Sequence, residues 1–287
     1  MRWYDFVAWA AVGLVVSFTS AAAADVAGVD TRALTQEAPL ATLVVKEIEL
    51  TPRLQFISPG ANEEWLENAT ATIQWLTVGP IKHVRLYYYG DRTKLGGGSR
   101  GSFSGLISDA IPNEGSYRWT VPWVDARSFM LRLAGYDEEG KLMAETERVV
   151  RFRPSEASGL NGTYIVVSKR RQRLWYYQND HLRWISIVST AAAPFSTPNM
   201  RPGSSGRRGA MGRIFYKTPN AFSRMYQVNM PWWMAITSSG SHGIHATSSG
   251  FYRYLGSPAS HGCIRQHRQD AKRLYDMVSV GTRVYVF

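Results

Sequence analysis

The chain has 287 residues and a formal net charge of +11, with 45% hydrophobic, 13% aromatic and 19% charged residues. These are the proportions of a folded globular protein, which excludes a disordered or fibrous chain, and the length suits two domains. A single cysteine, Cys263, excludes an internal disulfide.

Met1 to Asp5 carry one arginine, offset by Asp5, and Phe6 to Phe18 form an apolar run of about thirteen residues. A membrane span needs roughly 20. Ser20-Ala21-Ala22-Ala23-Ala24 supplies the small residues of a cleavage site, so 1–24 reads as a signal peptide cut near Ala22 or Ala24. The alternative is a retained anchor. Either way the protein is expected to be exported, to the periplasm or cell-wall space. Asp25 to Glu49, with Pro39 and mixed small and polar residues, reads as a linker.

From about Leu50 short β segments follow: Ile73–Leu76, Val84–Tyr89, Tyr117–Val121 and Met130–Leu133. Gly96-Gly97-Gly98, Pro112-Asn113-Glu114-Gly115 and Glu138-Glu139-Gly140 are the turn signals between them. The pattern predicts an antiparallel sandwich over 50–153, similar to immunoglobulin-like or fibronectin-like modules but without a cysteine pair. Pro154 to Gly159 is the expected linker to a second domain, 160–287.

The second domain begins with strands at Thr163–Ser168, Arg173–Tyr177 and Trp184–Val188, the last two joined by an Asn179-Asp180 turn. Ala191 to Met211, rich in proline and glycine, reads as loop. Gln269 to Val278 predicts a helix, because Ala271, Leu274, Tyr275 and Val278 fall on one face. Gly281 ends it before a closing strand, Arg283 to Phe287. The fold class is therefore mainly β with one C-terminal helix.

Charge separates the halves. Residues 1–159 hold 16 Lys/Arg against 19 Asp/Glu, a balance of −3, and residues 160–287 hold 17 against 3, a balance of +14. A basic, exported half implies an anionic partner, meaning cell-wall polymer or lipid headgroups before nucleic acid. The chain contains no Gly-rich phosphate loop or other cofactor motif.

The chemistry concentrates between Pro231 and Arg265. His245 stands sixteen residues before His261 and eighteen before Cys263, within Ser241-His242-Gly243-Ile244-His245-Ala246 and Ser260-His261-Gly262-Cys263-Ile264-Arg265. A lone thiol is inert in a core, paired with another molecule, or reactive. Small residues, two histidines and an arginine favour the reactive case. A thiol with a pKa of about 8.5 needs a base or a cationic neighbour, and backbone N–H groups at a glycine turn can hold an oxyanion.

These two segments resemble the active-site signature of the L,D-transpeptidase (YkuD-type) catalytic domain family: an Ile-His-Gly-like element followed by Ser-His-Gly-Cys, a hydrophobic residue, then Asn or Arg. Val188-Ser189-Thr190-Ala191, Ser257-Pro258-Ala259 and Gly281-Thr282-Arg283-Val284 are similar to further family segments. Ala246 and Ala191 depart from the commoner glycines. The resemblance covers about 160–287. It implies Cys263 as nucleophile, His245 as base oriented by the Ala246 carbonyl, and His261 shaping the pocket. It also implies Gly262 and Cys263 amides as oxyanion donors, and Arg265 meeting a substrate carboxylate.

The implied reaction is acyl transfer on peptidoglycan stem peptides. The thiolate attacks the third-residue carbonyl, D-alanine leaves, and the thioester passes to an amine of a second stem, an acceptor protein or a D-amino acid, or to water. No metal or cofactor is implied. Trp232, Trp233, Tyr252 and Tyr254 either wall the groove or belong to the core. Two other classes remain open at this point: a zinc site built from His242, His245, His261 and Cys263, and a non-catalytic wall-binding protein.

Overall fold

The computed structural model describes residues 50–92, 101–202 and 212–287. The expected signal peptide and first linker (1–49), the Gly96-Gly97-Gly98 turn and the end of the 191–211 loop lie outside them. Among the described residues the fold is mainly β.

The N-terminal half contains β1 (Arg53–Ser58), β2 (Glu64–Leu66), β3 (Thr70–Val78), β4 (His83–Asp91), β5 (Ser102–Pro112), β6 (Ser116–Thr120), β7 (Ser128–Tyr136) and β8 (Leu142–Arg153). They form two sheets, ordered β1-β3-β6 and β2-β8-β7-β4-β5. In β3, Ile73 and Trp75 are buried while their neighbours Thr72, Gln74 and Leu76 are exposed. That period of two gives each sheet one apolar face. Ile73, Trp75, Val84, Leu86, Leu131, Leu133 and Phe152 from both sheets meet in one core.

The C-terminal half contains β9 (Tyr164–Ser168), β10 (Arg173–Gln178), β11 (His181–Ser189), β12 (Gly212–Arg213), β13 (Tyr216–Ser223), β14 (Val228–Ala235), β15 (Gly243–Ala246), β16 (Ile264–Gln266), helix α1 (Arg268–Met277) and β17 (Arg283–Val286). All nine strands join one mixed sheet, ordered β12-β17-β9-β10-β11-β16-β15-β14-β13. Every residue of β9 is buried, because both faces of the sheet are covered. Ile165, Val167, Leu174, Ile244 and Ile264 pack with Leu274 of α1 on one face, and Tyr164, Val166, Trp175, Tyr177 and Ile185 form the core of the other.

The Asn179-Asp180 turn is a two-residue hairpin in which both residues have positive φ, +50° and +64°. That is the left-handed pair a tight hairpin requires, and asparagine and aspartate tolerate it best. Helix α1 is one residue out of register with its predicted span, and its cap is His267, whose ring accepts from Gln269 N.

Residues 154–159 contain a 3-10 turn, Ser155–Ala157, and the two halves meet around it. Trp123, in the β6–β7 loop, stands edge-on to Trp175 of β10 at 5.8 Å. Arg171 lies over the Trp123 ring, pairs with Glu67, and lies 3.3 Å from Glu156. Arg173 grips both carboxylate oxygens of Asp125, at 3.0 and 2.7 Å. Burial alone would raise the Glu67 carboxyl, but the bonds from Arg171 and Ser155 hold it below the usual carboxylate range. Glu67 is therefore an anion inside the junction.

Candidate active site

Strands β15 and β16 run parallel, with Ile244 beside Ile264 and His245 beside Arg265. Both isoleucines are fully buried in the core shared with α1. Because side chains alternate across a strand, His245 projects from the opposite face. Extended one step back, that register brings Gly243 beside Cys263, and the Gly243 backbone favours the charged form of the thiol. Cys263 thus lies on the same face as His245, two positions away along the neighbouring strand.

The environment of His245 defines its chemistry. Its Nδ1 lies 2.7 Å from the Ala246 carbonyl oxygen. A carbonyl only accepts, so Nδ1 carries the proton and Nε2 of the neutral ring keeps its lone pair. Burial depresses the imidazole to about 4, with the Arg265 charge adding to the fall and the Ala246 bond opposing it. Trp233 covers the ring at 5.6 Å. Gly243 makes room for that indole, since a Cβ there would fall 2.6 Å from it.

Cys263 is half-buried, and burial pushes its thiol up, against the Gly243 amide and the Arg265 charge. Burial thus disfavours the charged form of both groups. Both effects follow from the water that folding removes around the two groups.

The cysteine turn is held by Ser260, whose hydroxyl donates to the Cys263 carbonyl at 2.5 Å and accepts from Gly262 N at 3.1 Å. The Gly262 amide is therefore already engaged by Ser260. Gly262 has φ +141°, and a Cβ there would meet His242 Nε2 at 2.8 Å. The positive φ favours glycine here, and any larger residue would also displace the His242 ring.

His261 is exposed and held between two rings. Tyr226, from the tip of the β13–β14 hairpin, stacks on it at 4.7 Å, and Phe195 meets it edge-on at 4.5 Å. Neither ring was singled out in the sequence, because both reach the site through loops far along the chain. Of the four aromatics that were, Trp233 is buried behind His245, Trp232 packs on Tyr275 of α1, Tyr252 on His267, and Tyr254 on Phe251. Arg265 donates to the Ala259 carbonyl at 3.0 Å and retains guanidinium donors for a carboxylate. Among the described residues, no three His, Cys, Asp or Glu side chains are grouped as metal ligands.

Residues 162–286 match the family model of the L,D-transpeptidase catalytic domain, YkuD. The chain is similar to an L,D-transpeptidase from Stackebrandtia nassauensis, at 27% identity over 44% of this chain and 56% of that one, with a TM-score of 0.37. It thus spans little more than half of that protein's length. It is also similar to an L,D-transpeptidase from Mycobacterium smegmatis, at 17% identity over 82% of this chain and 99% of that one, with a TM-score of 0.38. A third likeness is to the Enterococcus faecium L,D-transpeptidase, at 24% identity over 45% and 50%, with a TM-score of 0.35. No curated protein matches the chain.

Proposed function

We propose that this protein is an exported peptidoglycan L,D-transpeptidase with Cys263 as nucleophile. The observation that carries the reading is the His245–Ala246 bond, which leaves the Nε2 lone pair of a buried, neutral imidazole on the face that bears the cysteine. The domain family names the acyl-transfer class.

In the first half-reaction His245 Nε2 takes the thiol proton as the sulfur attacks the third-residue carbonyl of a tetrapeptide stem. The Cys263 amide bonds the oxyanion. The C–N bond to the terminal D-alanine breaks, and His245 returns the proton to the departing amine. In the second half, an acceptor amine attacks the thioester, gives its proton to His245, and restores the thiol. With a second stem as acceptor the product is a 3→3 cross-link. A protein amine, a D-amino acid or water completes the same cycle.

Arg265 meets a stem carboxylate, and His261 with Tyr226 and Phe195 walls the approach. The two-sheet N-terminal half, 50–153, is an immunoglobulin-like sandwich, joined through 154–159 to the catalytic domain, 160–287. Export through the 1–24 segment brings the enzyme to its polymer. No helix among the described residues is long and apolar enough to cross a membrane.

Cys263→Ala is expected to abolish release of D-alanine from purified stem peptides, read by mass spectrometry, while circular dichroism stays that of the parent. Turnover at the parental rate in the Ala variant overturns the mechanism.

A further inference from the structure

Gln172 is almost fully buried, at 2% exposure, yet it has φ +53°, a conformation that costs a non-glycine residue energy. Such strain persists only where the surroundings over-determine it. Here they do. The Gln172 carbonyl accepts from Val188 N at 3.0 Å. Its side-chain oxygen accepts from Thr190 N at 2.8 Å, and its side-chain nitrogen donates to Thr190 Oγ1 at 2.7 Å and to the Lys169 carbonyl. One amide thereby fastens the β9–β10 turn to the end of β11.

The end of β11 in turn carries the cysteine turn. The Thr190 carbonyl accepts from Ala259 N at 2.8 Å and from Ser260 N at 2.9 Å, and Ala192 N donates to the Ser260 carbonyl at 3.1 Å. Ser260 then holds Gly262 and Cys263 through its hydroxyl.

On its other side, the residues flanking Gln172 belong to the junction between the halves. Arg171 is held by Glu67, Glu156 and the Trp123 ring, and Arg173 by Asp125. All three carboxylates and the indole come from outside residues 160–287, and the ion pair to Glu67 is nearly completely buried.

We propose that Gln172 is a positioning residue through which the N-terminal half holds the Cys263 turn in its reactive geometry. The path runs from Glu67 and Asp125 through Arg171 and Arg173 to Gln172, then through Thr190 and Ser260 to Gly262 and Cys263. Gln172 touches no reacting atom. Its consequence for catalysis rests on the thiol mechanism proposed above; the mechanical coupling does not.

The test uses the full chain and two readouts. In Gln172→Met, amide hydrogen exchange at Ala259 and Ser260 is expected to quicken about tenfold, the factor one buried hydrogen bond is worth. Acylation of Cys263 by a carbapenem is expected to slow by about the same factor, in its maximal rate more than in its half-saturating concentration. Alkylation by iodoacetamide, which needs no oxyanion donor, is expected to stay at the parental rate. General loosening of the fold would speed alkylation instead, and that result overturns the proposal.

Thr190→Val, which keeps the shape and removes the hydroxyl acceptor, is expected to act in the same direction, and Thr190→Ser to restore the parental values. These variants read the coupling even where Gln172→Met does not fold. Arg171→Met combined with Gln172→Met is expected to be no slower than Gln172→Met alone, since both break one path; fully additive losses overturn the route from the N-terminal half. Exchange and acylation at parental rates in Gln172→Met overturn the proposal outright. Faster exchange in a chain whose parent is never acylated upholds the coupling and overturns the proposed function alone.

Discussion

Burial acts on the two groups proposed to react in opposite senses, lowering the basicity of His245 and raising the thiol of Cys263. Both shifts favour the uncharged forms, so in the proposed mechanism the proton moves during attack. An imidazole held down to about 4 remains a neutral base through neutral pH. The acylation rate of Cys263 is therefore expected to be flat across neutral pH and to fall only as pH drops through about 4, measured by single-turnover reaction with a carbapenem. An acid limb near the ordinary histidine value of about 6.5 would contradict this assignment. The same shift has a cost in stability. Between about 6.5 and 4 the unfolded chain takes up a proton that folded His245 refuses, so this contribution falls on acidification and is fully present above that window.

At the scale of elements, Trp175 of β10 joins the two halves, with 1% of its surface exposed and Trp123 against its ring. Trp175→Ala removes a large buried side chain that the sheet cannot collapse to replace. The expected loss is about 3–5 kcal/mol, read as a lower urea midpoint, and Trp175→Phe should lose less. A midpoint within experimental error of the parent would mean that the junction contributes little to folding. The strands legible in the sequence were those with strong apolar or aromatic runs, such as β9, β10 and β11. The first, fifth and eighth strands and the β13–β14 hairpin were not read, because their outward positions are polar or loop-like: β8 carries Glu145, Glu147, Arg148 and Arg151. Strands β15 and β16 are only four and three residues long and were recognised as motif before they were recognised as strand.

For the whole molecule, the +14 balance of residues 160–287 has an internal use as well as an external one. Arg171 and Arg173 are neutralised by carboxylates from Glu67, Glu156 and Asp125, so part of the charge asymmetry binds the molecule to itself. The remaining excess still favours an acidic polymer. Retention of the full chain on purified wall sacculi is expected to fall as salt rises from about 0.1 to 1 M, where the screening length shrinks from about 10 to 3 Å. Retention that ignores salt would assign the excess to solubility alone.

Residue types and their spacing in the chain were enough to propose Cys263 and His245 as nucleophile and base, since a reactive thiol needs a particular company of neighbours and that company is written locally. The same holds for the Asn179-Asp180 turn and for α1, each set by the conformational preferences of a few consecutive residues. The protonation of the pair was not legible, because desolvation depends on what covers a group, and Trp233, Arg265 and the β15–β16 register come together only in the fold. Nor was the path from Glu67 to Cys263 legible. Glu67, Gln172, Thr190 and Ser260 are unremarkable polar residues in sequence, and only the sheet order and the closed junction turn them into one hydrogen-bonded chain.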